Sequence, residues 1–136
     1  MNLVDSGVLI ALLDRDDPNH HRCLIATQSL PKQPLLTTWC CFTEVMYFLA
    51  KIDGYITQAK LWDLMLSGKL ELHSLSASET VRMAELMKKY ADTPMDLADA
   101  SLMVLAESRN IQQILTLDSD FYVYRKADGT ALQCFP

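Results

Sequence analysis

Residues 1–13 read MNLVDSGVLIALL: an apolar segment, one aspartate and a second apolar segment. Residues 1–4 predict a strand, and Ser6–Leu13 predicts a helix for which Asp5 is placed to act as the N-cap. If this strand belongs to a parallel sheet, Asp5 stands at its C-terminal end, where open α/β sheets bind their ligands. This short stretch therefore predicts both a class of fold and the place of a site.

The same alternation continues along the rest of the chain. Further strands are predicted over 35–37, 70–75 and 114–117. Further helices are predicted over 20–30, 39–51, 56–66, from Ser76 or Ser78 to Tyr90, and over Leu97–Arg109. Strands that alternate with helices favour an α/β fold with a parallel sheet and crossover helices.

The C-terminal residues carry a different pattern. Short runs at 122–124 and 132–134 flank an Asp128-Gly129 turn. Two strand-like runs around such a turn predict a closing hairpin or an edge ribbon beside the sheet.

Size and composition restrict the class of protein. The 136 residues fit one domain, 1–136, and half of them are hydrophobic, which excludes long disordered stretches. No apolar run reaches about 18 residues, and no basic region precedes the first apolar segment, so we expect a cytoplasmic protein without a membrane span or signal peptide. The four cysteines form no Cys-x-x-Cys pair and are expected to be reduced thiols.

The net charge of −5 argues against binding through a broad basic surface. A nuclease remains possible, because carboxylates that hold a metal ion can meet a phosphate through that metal. Local cations would then hold the rest of the backbone, and six are candidates: Arg15, Arg22, Lys51, Arg109, Arg125 and Lys126.

Four carboxylates lie in sequence that is otherwise apolar: Asp5, Glu44, Asp99 and Asp118. Three of them have structural explanations when taken singly. Asp5 is placed as an N-cap, Asp99 is a first-turn acid three residues after Asp96, and Asp118 occupies a turn with Asp120. Gathered at one place, four oxygen donors of this kind would suit Mg²⁺ or Mn²⁺.

Glu44 has the weakest structural explanation of the four. The residues three and four positions away from it on the predicted helix are Cys40, Cys41, Tyr47 and Phe48, and the nearest cation along the chain is Lys51. These neighbours indicate a mostly buried helix, where an unpartnered carboxylate costs several kcal/mol. We therefore expect Glu44 to be buried and to serve a site.

Taken together, the segments around these acids resemble the PIN-domain family, and particularly its small bacterial members, the VapC-like toxin ribonucleases. The segments that carry the resemblance are LVDSG at 3–7 with ALL at 11–13, TEV at 43–45, MDLADA at 95–100 and LTLDSDF at 115–121. They follow the family's order and cover the chain from end to end. Gly7 departs from the common pattern, because many relatives carry Asn or Ser there.

The resemblance implies a three-layer α/β/α fold with about five parallel strands and a Mg²⁺-dependent ribonuclease that hydrolyses RNA phosphodiester bonds, with Mn²⁺ able to substitute. The catalytic set would be Asp5, Glu44, Asp99 and Asp118. Asp5, Asp99 and Asp118 would be the metal ligands, and Glu44 either a ligand or a group that orients metal-bound water. Four further residues would support them: Ser6, Asp96, Thr116 and Asp120.

The resemblance also implies partners. The chain would be the toxin of a type II toxin–antitoxin pair, with RNA as substrate and an antitoxin protein as inhibitor. The apolar helices over 39–50 and 56–66 exceed what a small sheet needs to cover, so we expect a homodimer or a bound partner peptide there.

Other classes of function stay open. A PIN-domain protein of RNA processing, or a catalytically silent module that binds RNA or protein, would share the same fold. A phospho-acceptor receiver domain would need a second acid beside Asp5 and a late lysine, and an Asp-x-Asp phosphatase would need an acid at Gly7, so both are disfavoured.

Overall fold

Five parallel strands form one sheet in the order β3-β2-β1-β4-β5 in the computed structural model, which describes residues 1–136. The strands are β1 Asn2–Val4, β2 Leu35–Thr38, β3 Leu70–His73, β4 Gln113–Leu115 and β5 Gln133–Phe135. From β1 the chain builds the sheet outward to β3, then crosses to the other side of β1 to add β4 and β5. The strand order therefore reverses between β1 and β4, and the crevice beyond their C-terminal ends is where such sheets bind ligands.

The sheet is accompanied by six α-helices. They are α1 Ser6–Leu13, α2 His20–Gln28, α3 Trp39–Asp53, α4 Tyr55–Leu66, α5 Ala77–Lys89 and α6 Leu97–Arg109. The sequence-based bounds agree with these to within two residues at each end. None of the six combines the length and the apolar character that crossing a membrane would require.

The two faces of the sheet are covered by different helices, because successive residues of a strand point to opposite faces. Leu3 and Ile114 belong to one buried cluster, which contains residues of α5 and α6. Val4 and Leu115, their neighbours along the strands, belong to a second cluster with residues of α1, α3 and α4. The predicted three-layer α/β/α arrangement is thereby confirmed.

The helices begin where the sequence supplies capping side chains. Asp5 accepts a hydrogen bond from the backbone N–H of Ser6, and Thr38 accepts one from that of Cys41. Ser76 and Asp96 each open a helix with a reciprocal capping box. Two of these caps are at strand ends, since Asp5 directly follows β1 and Thr38 ends β2. This places Asp5 at the C-terminal edge of the sheet.

The predicted C-terminal hairpin is wrong. Residues Ser119–Tyr122 form a 3₁₀ turn, and β5 pairs in parallel with β4, with Gln113 opposite Gln133. Phe121 and Tyr124 are fully buried and pack edge to face at 5.3 Å, so their segment lies over the sheet rather than in it. The Asp128-Gly129 turn does form, with Gly129 at φ 85°, but it lies within the connection that leads the chain to the edge as a fifth parallel strand.

Candidate active site

Asp5 follows β1 directly and is 8% exposed. Its Oδ1 accepts a hydrogen bond from the Ser6 N–H at 2.7 Å, and its Oδ2 accepts one from the Thr116 hydroxyl at 2.9 Å. Burial raises the pKa of Asp5 to about 6, against these two hydrogen bonds, and the charges of Asp118 and Glu44 raise it further. Asp5 is thus a helix cap, as its position predicted, and also a member of a cluster of like charges.

Thr116 connects Asp5 to the next acid of the cluster. Besides donating to Asp5, its hydroxyl oxygen accepts a hydrogen bond from the Asp118 N–H at 3.0 Å. The Asp118 carboxylate in turn accepts from the Asp120 N–H at 2.9 Å, so Asp118 also caps the short turn that follows it. The hydroxyl of Thr116 therefore fixes the positions of two acids that come from neighbouring strands.

Asp99 lies in the first turn of α6 and is 7% exposed. Its N–H donates to Asp96 at 2.7 Å, and its Oδ2 accepts from the Asp96 N–H and from the Tyr124 hydroxyl, both at 3.3 Å. Burial raises the pKa of Asp99 to about 7, and the charges of Asp96, Asp5 and Asp118 add to the shift, against a backbone hydrogen bond from Asp96. The charges of Asp5 and Asp118 are therefore near enough to Asp99 to affect its pKa, and these three acids are the candidates for a site at the β1–β4 edge.

Tyr124 is a member of this arrangement that the sequence analysis missed. It is fully buried, and burial together with the charge of Asp99 raises the pKa of its phenol. The strand predicted over 122–124 concealed it. The three-residue spacing from Phe121, which is typical of a helical turn, was the feature that could have revealed a side chain directed into the core.

Glu44 is exposed, and the expectation that it would be buried is wrong. The buried face of α3 consists of Cys41, Phe42, Val45 and Leu49. The apolar neighbours Tyr47 and Phe48 are instead 68% and 44% exposed, so they form surface rather than core. Glu44 is still near enough to Asp5 for its charge to contribute to the raised pKa of that carboxyl.

The donor chemistry of the crevice suits a hard divalent cation. All its acids offer oxygen ligands, none of them takes part in an ion pair, and the buried Ser6 hydroxyl has no hydrogen-bond partner. However, no three carboxylate, imidazole or thiol side chains stand close enough together to enclose a metal ion. The set thus fits such an ion in chemical type and charge, while a closed ligand cage is not formed.

Three of the six candidate RNA-binding cations are engaged elsewhere. Arg109 pairs with Glu71 at 2.9 Å, and Arg125 donates to three backbone carbonyls. Lys126 is 5% exposed and donates to the Gln112 side chain at 2.7 Å. These three side chains stabilise the fold, so fewer of the candidate cations are left for phosphate binding.

The family model for the PIN domain matches residues 3–127 of this sequence. Because that match includes both strands of the crevice and most of the chain, the protein belongs to the PIN-domain family. It is similar to Ribonuclease VapC26 of Mycobacterium tuberculosis (strain ATCC 25618 / H37Rv), with 28% identity over 116 residues, 85% of each chain. The resemblance to VapC-like members is thereby confirmed.

Solved structures show the same fold. The crystal structure of Mycobacterium tuberculosis VapC20, a sarcin-ricin loop cleaving toxin, has a TM-score of 0.86 at 18% identity, with all of both chains covered. A toxin–antitoxin complex from Klebsiella pneumoniae has a TM-score of 0.66 at 21% identity, covering 89% of this chain and 90% of the other. At these identities the likeness extends to the fold and carries no residue roles.

Proposed function

We propose that this protein is a divalent-metal-dependent endoribonuclease and the toxin of a toxin–antitoxin pair. The observation that carries the proposal is the group of Asp5, Asp99 and Asp118 around the β1–β4 crevice, with no cationic side chain paired to any of them. The relatives support it, since VapC26 is a ribonuclease and VapC20 is a sarcin-ricin loop cleaving toxin.

In this proposal Asp5, Asp99 and Asp118 hold Mg²⁺, for which Mn²⁺ can substitute, and Glu44 is a further ligand or orients a water molecule. A bound divalent ion would act as a Lewis acid on the phosphate and lower the pKa of a water molecule that attacks it. Mg²⁺ commonly keeps several of its waters and uses only one or two carboxylates directly, so a crevice without a closed cage is compatible with it.

The surrounding residues orient the ligands. The Ser6 N–H and the Thr116 hydroxyl fix the two oxygens of Asp5, which leaves its remaining lone pairs for a cation. The Asp96 N–H and the Tyr124 hydroxyl fix Asp99 in the same way. Such outer hydrogen bonds hold ligands in place, and their loss commonly weakens metal binding 10- to 100-fold.

Cleavage of single-stranded RNA with Mg²⁺ or Mn²⁺, and its loss with EDTA, tests the proposed activity. Asp99→Asn should reduce the rate on the order of a hundredfold or more, because a ligand of the positioned metal is lost. The matched control is Asp92→Asn, a change at an exposed acid just before α6, which should cleave at the parent rate. Undiminished cleavage by Asp99→Asn would remove Asp99 from the site.

An antitoxin partner is proposed because one of the similar solved structures is a toxin–antitoxin complex. An Arg of the antitoxin, paired with the acids of the crevice, would neutralise them and block the substrate. Co-expression with the neighbouring reading frame should relieve growth inhibition and yield a complex that co-purifies. A solitary gene without toxicity on overexpression would favour a role in RNA processing instead.

A homodimer is proposed on the exposed apolar residues of α3 and α4. Phe48, Ile52, Tyr55 and Ile56 are 44%, 40%, 71% and 66% exposed, a group that commonly marks an interface. Light scattering of the parent should give twice the chain mass, and Ile56→Glu should give a monomer. A parent that is monomeric at micromolar concentration would contradict this part of the proposal.

A further inference from the structure

An open groove of about 550 Å³ lies between α3 and the start of α6. Its walls include Trp39, Cys40, Glu44, Tyr47, Leu97 and Ala98. The charge of Glu44 contributes to the raised pKa of Asp5, and Ala98 directly precedes Asp99 in the first turn of α6. The groove is therefore a continuation of the candidate active site rather than a separate depression.

Two exposed aromatic rings dominate this groove. Trp39 is 45% exposed but restrained, because its ring packs edge to face on Phe42 at 5.3 Å, and Phe42 packs likewise on Trp62 at 5.1 Å. Tyr47 is 68% exposed and has the Lys51 ammonium 4.3 Å from its ring centroid. Covering such rings with a ligand is favourable, because it removes a large apolar area from water.

The net charge of the chain favours a ligand that is not held by phosphate contacts alone. The chain carries a net charge of −5, and Arg109, Arg125 and Lys126 are engaged within the fold. Nucleic-acid binding through the backbone requires several free cations. Stacking of bases on aromatic rings does not, since every base has a π-face.

We propose that Trp39 and Tyr47 form a stacking platform for unstacked nucleobases of a single-stranded RNA segment, beside the bond to be cleaved. The inference rests on the proposed ribonuclease function and specifies its substrate class. The rings are eight residues apart on α3, about 12 Å along its axis, so they would contact different nucleotides. Lys51, beside Tyr47, supplies one positive charge for the phosphate of the stacked nucleotide.

A protein segment suits this groove less well than a nucleotide does. An apolar side chain seated there would remove water from the Glu44 carboxylate, which has no ion pair. A single strand of RNA can instead lay its base on the ring and leave its polar edges in water, while its backbone runs on into the crevice.

The test measures binding and cleavage separately. Binding to a short single-stranded RNA that contains 2-aminopurine is followed in EDTA by quenching of the base fluorescence, and cleavage is followed with Mg²⁺. Trp39→Ala and Tyr47→Ala should each weaken binding and raise KM about tenfold while kcat changes little, consistent with the measured value of base–aromatic stacking. Tyr47→Phe should restore parent behaviour, because it keeps the ring.

Tyr122→Ala is the matched control, since Tyr122 is similarly exposed at 60% but does not line the groove. Thermal melts check that each variant folds, and Tyr47→Ala is the variant that disturbs no packed ring. An RNA duplex of the same sequence should compete poorly, because its bases are already stacked.

The outcomes distinguish this inference from the proposed function. A parent that cleaves RNA while both alanine variants keep the parent KM overturns the stacking platform alone. If the parent quenches the fluorescence and the alanine variants bind more weakly, but no protein cleaves RNA, the platform is supported and the proposed nuclease activity is overturned. A parent that does neither overturns both. If the variants cleave normally but lose a co-purifying protein or the dimer, the groove is a protein interface and the platform is wrong.

Discussion

Without metal, the Asp5→Asn variant should gain stability relative to the parent as the pH rises. The pKa of Asp5 is about 6 in the folded chain, mainly because of burial, whereas an unfolded aspartate titrates near 3.9. A carboxyl with a raised folded pKa contributes stability below pH 4 that is lost as the pH rises through 6. The full loss is about 3 kcal/mol, and about half of it develops between pH 5 and pH 8.

The amide side chain separates this charge effect from the loss of hydrogen bonds. Asn is also a good N-cap, so the interaction with the Ser6 N–H can persist. Any loss at the Thr116 hydroxyl is a constant offset that does not depend on pH in this range. Between pH 5 and pH 8, the free energy of unfolding of the variant should therefore gain about 1.5 kcal/mol on the parent.

Urea unfolding in EDTA at the two pH values measures this difference. Asp53→Asn is the control, because Asp53 is exposed and lies outside the crevice. At pH 8, Mn²⁺ should stabilise the parent by about 2.7 kcal/mol at a hundredfold excess over its dissociation constant, and the variant much less. A difference between parent and Asp5→Asn that is the same at pH 5 and pH 8 would refute the reasoning that burial, helped by neighbouring like charges, raises the pKa of Asp5.

Three other changes test the fold and the ligand supports. Burial raises the pKa of Glu79, but the hydrogen bonds that its carboxylate accepts have the larger effect and lower this pKa to about 2. Glu79→Gln should therefore lower the free energy of unfolding by on the order of 2 kcal/mol at pH 7. In urea unfolding, this loss of stability should fade as the pH falls from about 4 to 2. Glu85→Gln is the control, because the Glu85 side chain is 60% exposed, and it should show no such loss. Tyr124→Phe removes the donor to Asp99 and should raise the Mn²⁺ concentration for half-maximal cleavage about tenfold; an unchanged metal titration would contradict this. Phe121→Ala should cost about 3–5 kcal/mol in urea unfolding, and a loss below about 1 kcal/mol would mean that this turn is not part of the core.

The sequence by itself determined the main architecture. The alternation of short apolar runs with capped helical segments predicted four of the five parallel strands and all six helices. It also placed Asp5, Asp99 and Asp118 near the ends of elements that meet at one edge of the sheet. These features could be predicted because they depend on local periodicity and capping, which the sequence expresses directly.

Only the tertiary structure decided which apolar residues are buried. Glu44 has apolar neighbours on both sides along α3, yet Trp39, Tyr47 and Phe48 face solvent. One helix packs only one face against the sheet, so a second apolar face on the same helix becomes surface. An apolar run indicates a helix without specifying the side on which its partner lies.

Tertiary structure also decided the path of the C-terminal residues and the final environment of the acids. The burial of Phe121 and Tyr124 takes their segment out of the sheet, turns the expected ribbon into β5 and brings a phenol to Asp99. In the same segment, the Arg125 side chain donates hydrogen bonds to backbone carbonyls of the turn that precedes it. These contacts join parts of the chain that are distant in sequence or depend on which face is covered, and no local pattern encodes that choice.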